Sequence, residues 1–598
     1  MQHQRLFRLF TSAFVAMSAL LILVGSPVRT AHAAPVCGAT VQNVSGAITV
    51  NTTWSSANIY LLTGSVTVNA GVTLTIQPGT VIKARPNTGI YVHGTLSANG
   101  TVANSIYVTS EKDDTVCGDT NADGAATAPA VGDWAFVEFE GDSNDTSSLT
   151  RAVLSYGGMG YPSGSGTRYS LGVVRVRDAS PTLSNLSMTQ NYRNAAELGG
   201  ETWNANTLSS STVVYWMGYT PQVAANQTLT INPGVKIKAT VNANLFIHGT
   251  LSANGTLAAP IYFTSEKDDT VCGVGASDEA VCDTDNAVSS PATSDWGFIE
   301  FEAGSSDTSS LTRAVLRYGG HGYPSGSGTA YSLGVIRLRD ASPTLANLSM
   351  TQNYRNAAEL AGETWNANTL SSSTVVYWMG YTPQVAANQT LTLGPGVKIK
   401  ATVNANLFIH GKLTADGTVA APIYFTSEKD DTVCGVGASD EAVCDTDNVV
   451  GSPATSDWGF IEFEAGSSDT SSLTRAVLRY GGHGYPSGSG TAYSLGVIRL
   501  LNASPTLDNL SMTQNYRNAA ELGGGNWNTN ILTSTTVVYW MSSTINVVGG
   551  QTLTIVPGVT IKSGATTGLY VSGTLMANGT LAAPITFTSE KDDTVCGV

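Results

Sequence analysis

The sequence predicts an all-β chain folded as a right-handed parallel β-helix, a solenoid built from tandem repeats of about 162 residues. Three observations predict it. The segment Thr-Ser-Glu-Lys-Asp-Asp-Thr-Val-Cys-Gly occurs four times, with its serine at Ser110, Ser265, Ser427 and Ser589. The last two intervals are equal and the first is slightly shorter. A long fixed repeat of this kind marks stacked supersecondary units. Inside each unit, short apolar/polar/apolar runs alternate with Gly, Pro or Asn turns, and helical periodicity is nearly absent. Similar runs also recur at a constant shorter step, from Leu229 to Leu245, Val235 to Leu251 and Leu245 to Ile261. That step predicts coils of about 16 residues, each strand pairing with its counterpart one coil on. A tandem immunoglobulin-like array is the alternative. It requires a period nearer ~100 residues and a Cys…Trp…Cys core pattern, and neither is present.

The elements follow in order. Residues 1–33 read as a signal peptide: Arg5 and Arg8 form a basic start, Ala13 to Val24 is apolar, and Ala31-His32-Ala33 is a small-x-small cleavage site. Residues 34–56 form an N-terminal cap region. Full units then span 57–211, 212–373 and 374–535, and 536–598 is a shortened fourth. In the second unit the strands are Leu229-Thr-Ile231, Val235-Lys-Ile237, Leu245-Phe-Ile247, Gly249-Thr-Leu251 and Ile261-Tyr-Phe263. Period two places Leu229 and Ile231 inward and Thr230 outward.

Composition narrows the function. The chain carries −15, and removing Arg5, Arg8 and Arg29 with the signal peptide leaves the mature product near −18. Such a field repels phosphate backbones, which argues against nucleic-acid partners. No later stretch reaches the length of a membrane span, so the mature chain is expected to be secreted or held at the cell surface. Only 12% of residues are charged, but 42% are hydrophobic, enough for a core. The pairs Cys272/Cys282 and Cys434/Cys444, each ten apart, predict local loop disulfides in an oxidising compartment. Cys117 has only the distant Cys37 as a partner. Cys596 lies where a further pair would begin, which predicts that the sequence is part of a longer one.

The second unit also runs Leu229-Thr-Ile-Asn-Pro-Gly-Val-Lys-Ile-Lys238, His248-Gly-Thr-Leu-Ser-Ala-Asn-Gly-Thr256, Pro260-Ile-Tyr-Phe-Thr-Ser265 and Asp295-Trp-Gly-Phe-Ile299. This pattern resembles the right-handed parallel β-helix repeats of large secreted bacterial surface and adhesin proteins. The resemblance covers essentially the whole mature chain and implies the fold. That architecture serves adhesins and polysaccharide-cleaving enzymes alike, so it leaves the activity open.

Candidate chemistry begins with the acidic loop. In the first unit Asp113, Asp114, Asp119, Asn121 and Asp123 precede Gly124. Oxygen ligands at alternate positions before a glycine suit a hard cation, and Ca²⁺ is the expected ion. An EF-hand acid is absent at the twelfth position, Ala130, and a solvated acidic insertion is the alternative. The pairs Glu138/Glu140, Glu300/Glu302 and Glu462/Glu464 have the residue types of a glycosidase acid and base. They lie at i, i+2 around an inward Phe, so a solvated strand face accounts for them. Arg337-Leu-Arg339-Asp340 matches the residue types of β-helix lyases, but the third unit reads Arg499-Leu-Leu501-Asn502. His93, His248 and His410 share a position that becomes Ser572, which suits a turn better than a general base. Tyr161, Tyr323 and Tyr485, in Gly-Tyr-Pro-Ser-Gly-Ser-Gly loops, offer aromatic faces to sugar rings; a packed loop aromatic is the alternative. Asn191, Asn353 and Asn515 are expected to form an internal asparagine ladder.

These observations favour a secreted or cell-surface, adhesin-like repeat protein that presents acidic loops to a carbohydrate or surface-protein partner. The alternative is a polysaccharide lyase or glycoside hydrolase on the same scaffold. The non-catalytic reading is preferred, because no unit holds a constellation that the others lack.

Overall fold

The computed structural model describes residues 35–124, 126–162, 168–272, 283–287, 289–324, 330–434, 445–449, 451–486 and 492–595. The segment 1–33 expected to be a signal peptide lies outside the described residues. Among them there is no helix, and every sheet is parallel except three short hairpins. The chain is a parallel β-helix solenoid. Each coil carries one short strand on each of three faces. In the second unit one coil uses Lys236–Ala239, Leu245–Ile247 and Thr250–Asn254, and the next uses Ile261–Ser265, Ile299–Phe301 and Ser310–Thr312. The three faces stack in register through these pairings.

The coil is longer than the short recurrence predicts. Leu229 pairs with Leu251, and Ile237 with Phe263. Leu229 and Leu245, which the recurrence links, lie on different faces. A coil must pass three strands and three corners, and so short a step reaches only part of the way around. The alternation along each strand holds as expected; the step around the coil does not.

Alternation does the rest. On the third face Leu208, Ile231, Ala253, Leu311 and Leu345 stack inward and are at most 2% exposed. Their neighbours Thr207, Thr230, Ser252, Ser310 and Thr344 stand outward on the same rungs. Each buried leucine or isoleucine contributes about 1.5–3 kcal/mol. One apolar core runs from Trp54 to Ile561 without a break between units.

Two insertions leave the coil at one corner, between the first and second faces. Residues 111–136 separate Ile106–Ser110 from Val137–Phe139. A hairpin, Met159–Pro162 against Arg168–Ser170, separates Ala152–Ser155 from Gly172–Arg177. The strands that launch them pair directly, so the two insertions rise from adjacent coils. The same arrangement recurs in the second and third units. The loop packs tightly at Gly132 (φ 76°), where a Cβ would meet the Tyr192 ring at 2.1 Å.

The expected asparagine ladder does not form. Asn191 and Asn353 are fully buried, but each is one to its unit and meets no equivalent. Asn191 instead donates to the Leu154 carbonyl at 2.9 Å and accepts from the Gly157 amide at 2.8 Å. Asn194 reaches across a unit boundary to the Asp283 carbonyl, at 2.9 Å.

Candidate functional site

The corner bearing the acidic loops gathers most of the chemistry that the sequence offered. Almost every side chain of the repeated segment is spent on anchoring the loop. In the second unit Thr264 donates to Asp268, and Asp268 is fully buried and also paired with Arg317 at 2.8 Å. Ser265 and Lys267 hold Asp295 at 2.9 and 2.8 Å. Glu266 accepts from Trp216 Nε1 and Thr240 at 2.9 and 2.8 Å, beside Arg193 at 3.2 Å. The third unit repeats the set with Asp430, Arg479, Asp457, Glu428, Trp378 and Arg355. A buried carboxylate is tolerated only when it is paired and hydrogen-bonded, and these are.

Beneath each loop lies a lysine that sequence reading missed. Lys83, Lys238, Lys400 and Lys562 are all fully buried, although each stands at an outward strand position. Lys83 Nζ donates to the Asp113 and Gly118 carbonyls at 3.0 and 2.6 Å, and Lys562 donates to the Asp592 carbonyl at 2.9 Å. Lys238 and Lys400 face Asp269 and Asp431 at 3.8 and 4.0 Å. Burial lowers the Lys83 and Lys238 amines and brings Lys400 to about 8, against the raising effect of the acids above them. Burial likewise raises Asp269 and Asp431 to about 6. A signal for these lysines was present: each precedes the first aspartate of the repeated Asp-Asp by the same interval, 30 residues.

In the first loop the structure divides the five expected cation ligands. Asp114, Asp119 and Asp123 bring one carboxylate oxygen each within 4.8 Å of one another. Asn121 donates to Asp123 at 2.9 Å. Asp114 Oδ1 and Asn121 Oδ1 are buried without a hydrogen-bond partner. Asp113 is occupied elsewhere, accepting from Thr109 at 2.7 Å and from Thr115. Two orphaned oxygens beside clustered carboxylates fit a hard cation such as Ca²⁺, although Lys83 already supplies one positive charge below.

Cys117, in the same loop, is bonded to Cys37 across 80 residues, with Cα atoms 5.2 Å apart. Cys272 and Cys434 are also disulfide-bonded. Their expected partners Cys282 and Cys444 lie outside the described residues, as do the side chains of Tyr161, Tyr323 and Tyr485.

The first glutamate of each pair is not on a solvated face, while Glu140, Glu302 and Glu464 are partly exposed. Glu138, Glu300 and Glu462 are 2%, 2% and 4% exposed. Each pairs with an arginine one coil on: Arg175, Arg337 and Arg499. A second carboxylate, Glu197, Glu359 or Glu521, lies on the far side of that arginine at 3.3, 3.3 and 3.5 Å. Period two shows that these side chains point outward; it does not show that later chain covers them. Desolvation pushes Glu138 and Glu300 up to about 7 and Glu462 up to about 8. Where Arg177 and Arg339 add a second cation, the third unit has Leu501, in keeping with its higher value. These Glu–Arg–Glu ladders occur once per unit, with their glutamates buried.

Fold and site together define a parallel β-helix repeat protein. Residues 46–172 match a family model described as a pectate-lyase-like β-helix domain. No curated protein and no solved structure matches the chain.

Proposed function

We propose that the chain is a secreted or cell-surface β-helix shaft without a catalytic centre, which presents a repeated acidic corner to a carbohydrate or protein partner. One observation carries this reading: the acids and arginines best suited to catalysis are consumed in internal pairs, the Glu–Arg pair in all three units and the Asp–Arg pair in the second and third. A catalytic pair needs access to substrate, and Glu138 with Glu197 has little. The insertions instead recur at one corner, the geometry of a multivalent display. Among the described residues no helix is long and apolar enough to cross a membrane.

Deleting whole units tests the reading. Binding to glycan or cell surfaces should decline step by step as units are removed. The second reading, a polysaccharide lyase, draws support from the family match over residues 46–172. It requires cleavage of a polysaccharide that disappears with one particular unit, and that result would replace the display reading. Ca²⁺ is the cofactor proposed for Asp114, Asp119, Asp123 and Asn121. Adding a chelator should lower the melting midpoint, and the Asp119→Asn/Asp123→Asn variant should lose that response.

A further inference from the structure

The first unit contains a carboxylate held by a histidine at the corner between the second and third faces. His93 Nδ1 lies 2.7 Å from Asp142 Oδ1. His93 sits in the tight turn His-Gly between Ile90–Val92 and Thr95–Asn99. His410 occupies the same turn in the third unit, between Leu407–Ile409 and Lys412–Asp416. The hydrogen bonds flanking the turn match, although Gly466 takes a positive φ that Asp142 does not. His93 N bonds the Val68 carbonyl as His410 N bonds that of Val385, and Asn144 N bonds Gly94 O as Ser468 N bonds Gly411 O.

Counting back from Asn144 and Ser468, the position of Asp142 in the third unit is Gly466. The internal carboxylate is therefore gone. A Cβ placed at Gly466 would meet nothing within 4 Å. In the space stands a cleft of ≈ 300 Å³, lined by His410, Lys412, Asn388, Gln389, Thr390 and Ser468. Lys412 replaces Thr95 of the first unit and Thr250 of the second. Among the described residues it makes no ion pair. In one unit, then, an acid has been removed from beside the histidine and a cation added next to it.

We infer that this cleft is a binding site for a small carboxylate ligand, with Asp142 against His93 showing in cis the contact that the ligand makes with His410. Lys412 supplies the opposite charge, and the flanking amides and hydroxyls donate to the remaining lone pairs. The second unit has the glycine, Gly304, but keeps Thr250 and so lacks the cation. The site belongs to the third unit and is independent of the acidic loops.

The test is calorimetric titration of the full chain with N-acetylaspartate, glucuronate and neutral galactose. The two carboxylates represent a peptide and a sugar source. Binding of either, with a dissociation constant on the order of 1 mM and no binding of galactose, supports the site and identifies its source. Lys412→Thr, which restores the residue of the second unit, should weaken binding at least tenfold. Gly466 has φ 89°, whereas Asp142 in the first unit lies outside the left-handed region, so the blocking variant changes both turn residues, Ala465→Gly/Gly466→Asp, to admit the backbone of the first unit. It copies Gly141-Asp142 and should abolish binding by filling the cleft with its own carboxylate. Galactose binding equal to that of the carboxylates, no carboxylate binding, or an unchanged affinity in Lys412→Thr would overturn the inference.

Discussion

The acidic loop of the first unit and those of the second and third share one anchor but are closed differently. In all three, Thr-x-x-x-Asp caps the loop entry, and a buried lysine supports it from below. In the first, the loop is tied to Cys37 far upstream, and Lys83 bonds main-chain carbonyls. In the later two, the buried aspartate is clamped by Arg317 or Arg479, where the first unit has Ser155. The lysine there also faces a carboxylate. The anchor is common because the coil needs it. The closure varies because several kinds of bond can hold the same loop.

The largest effects should come from cutting each closure. Asp430→Ala removes the ion-pair partner of the part-buried Arg479, which keeps its bond to Thr432, and also the acceptor of Thr426, and should cost about 2–4 kcal/mol. Asp113→Ala, with no arginine opposite, should cost about 1–3 kcal/mol. Hydrogen exchange in the strands beneath each loop measures the difference, and equal losses would erase the distinction between the units. Cys37→Ser should cost about 4 kcal/mol by releasing a closed loop of 80 residues. Protease nicking should then appear between residues 37 and 117 and leave the third unit intact.

A smaller effect follows from the Glu–Arg–Glu ladders. A carboxyl raised from 4.5 to about 7 or 8 holds its proton more tightly in the folded chain. Its contribution is complete below pH 4.5 and is lost as pH rises through 7 to 8, on the order of 1–3 kcal/mol per ladder. Melting midpoints should fall from pH 5 to pH 8. The smallest effect expected is that of Leu501→Arg. It restores the second cation beside Glu462 and should flatten that fall slightly in the third unit.

The fold was legible because its signal is local: alternating short strands, punctuating turns and a repeat that names its own period. The step around the coil was not, since the shorter recurrence joins strands on different faces. The candidate site was only partly legible. Asp114, Asp119 and Asp123 do come together, but Asp113 turns inward because Thr109 lies one turn before it. Glu138 looked solvated because its cover, including its partner Arg175, comes from coils 37 and more residues on. The lysines were hidden by the same blindness to cover, although their constant distance to the aspartates could have exposed them.

The bond between Cys37 and Cys117 also has a mechanical consequence. A pull on the amino-terminal end is transferred at Cys37 directly to the coil that bears Cys117. The intervening strands, including Asn58–Val68 and Val81–Ala84, carry no tension. A filament of stacked coils peels from its end one rung at a time when loaded there. This one is gripped several rungs inside that end, so those outer rungs are sheltered until the bond is reduced.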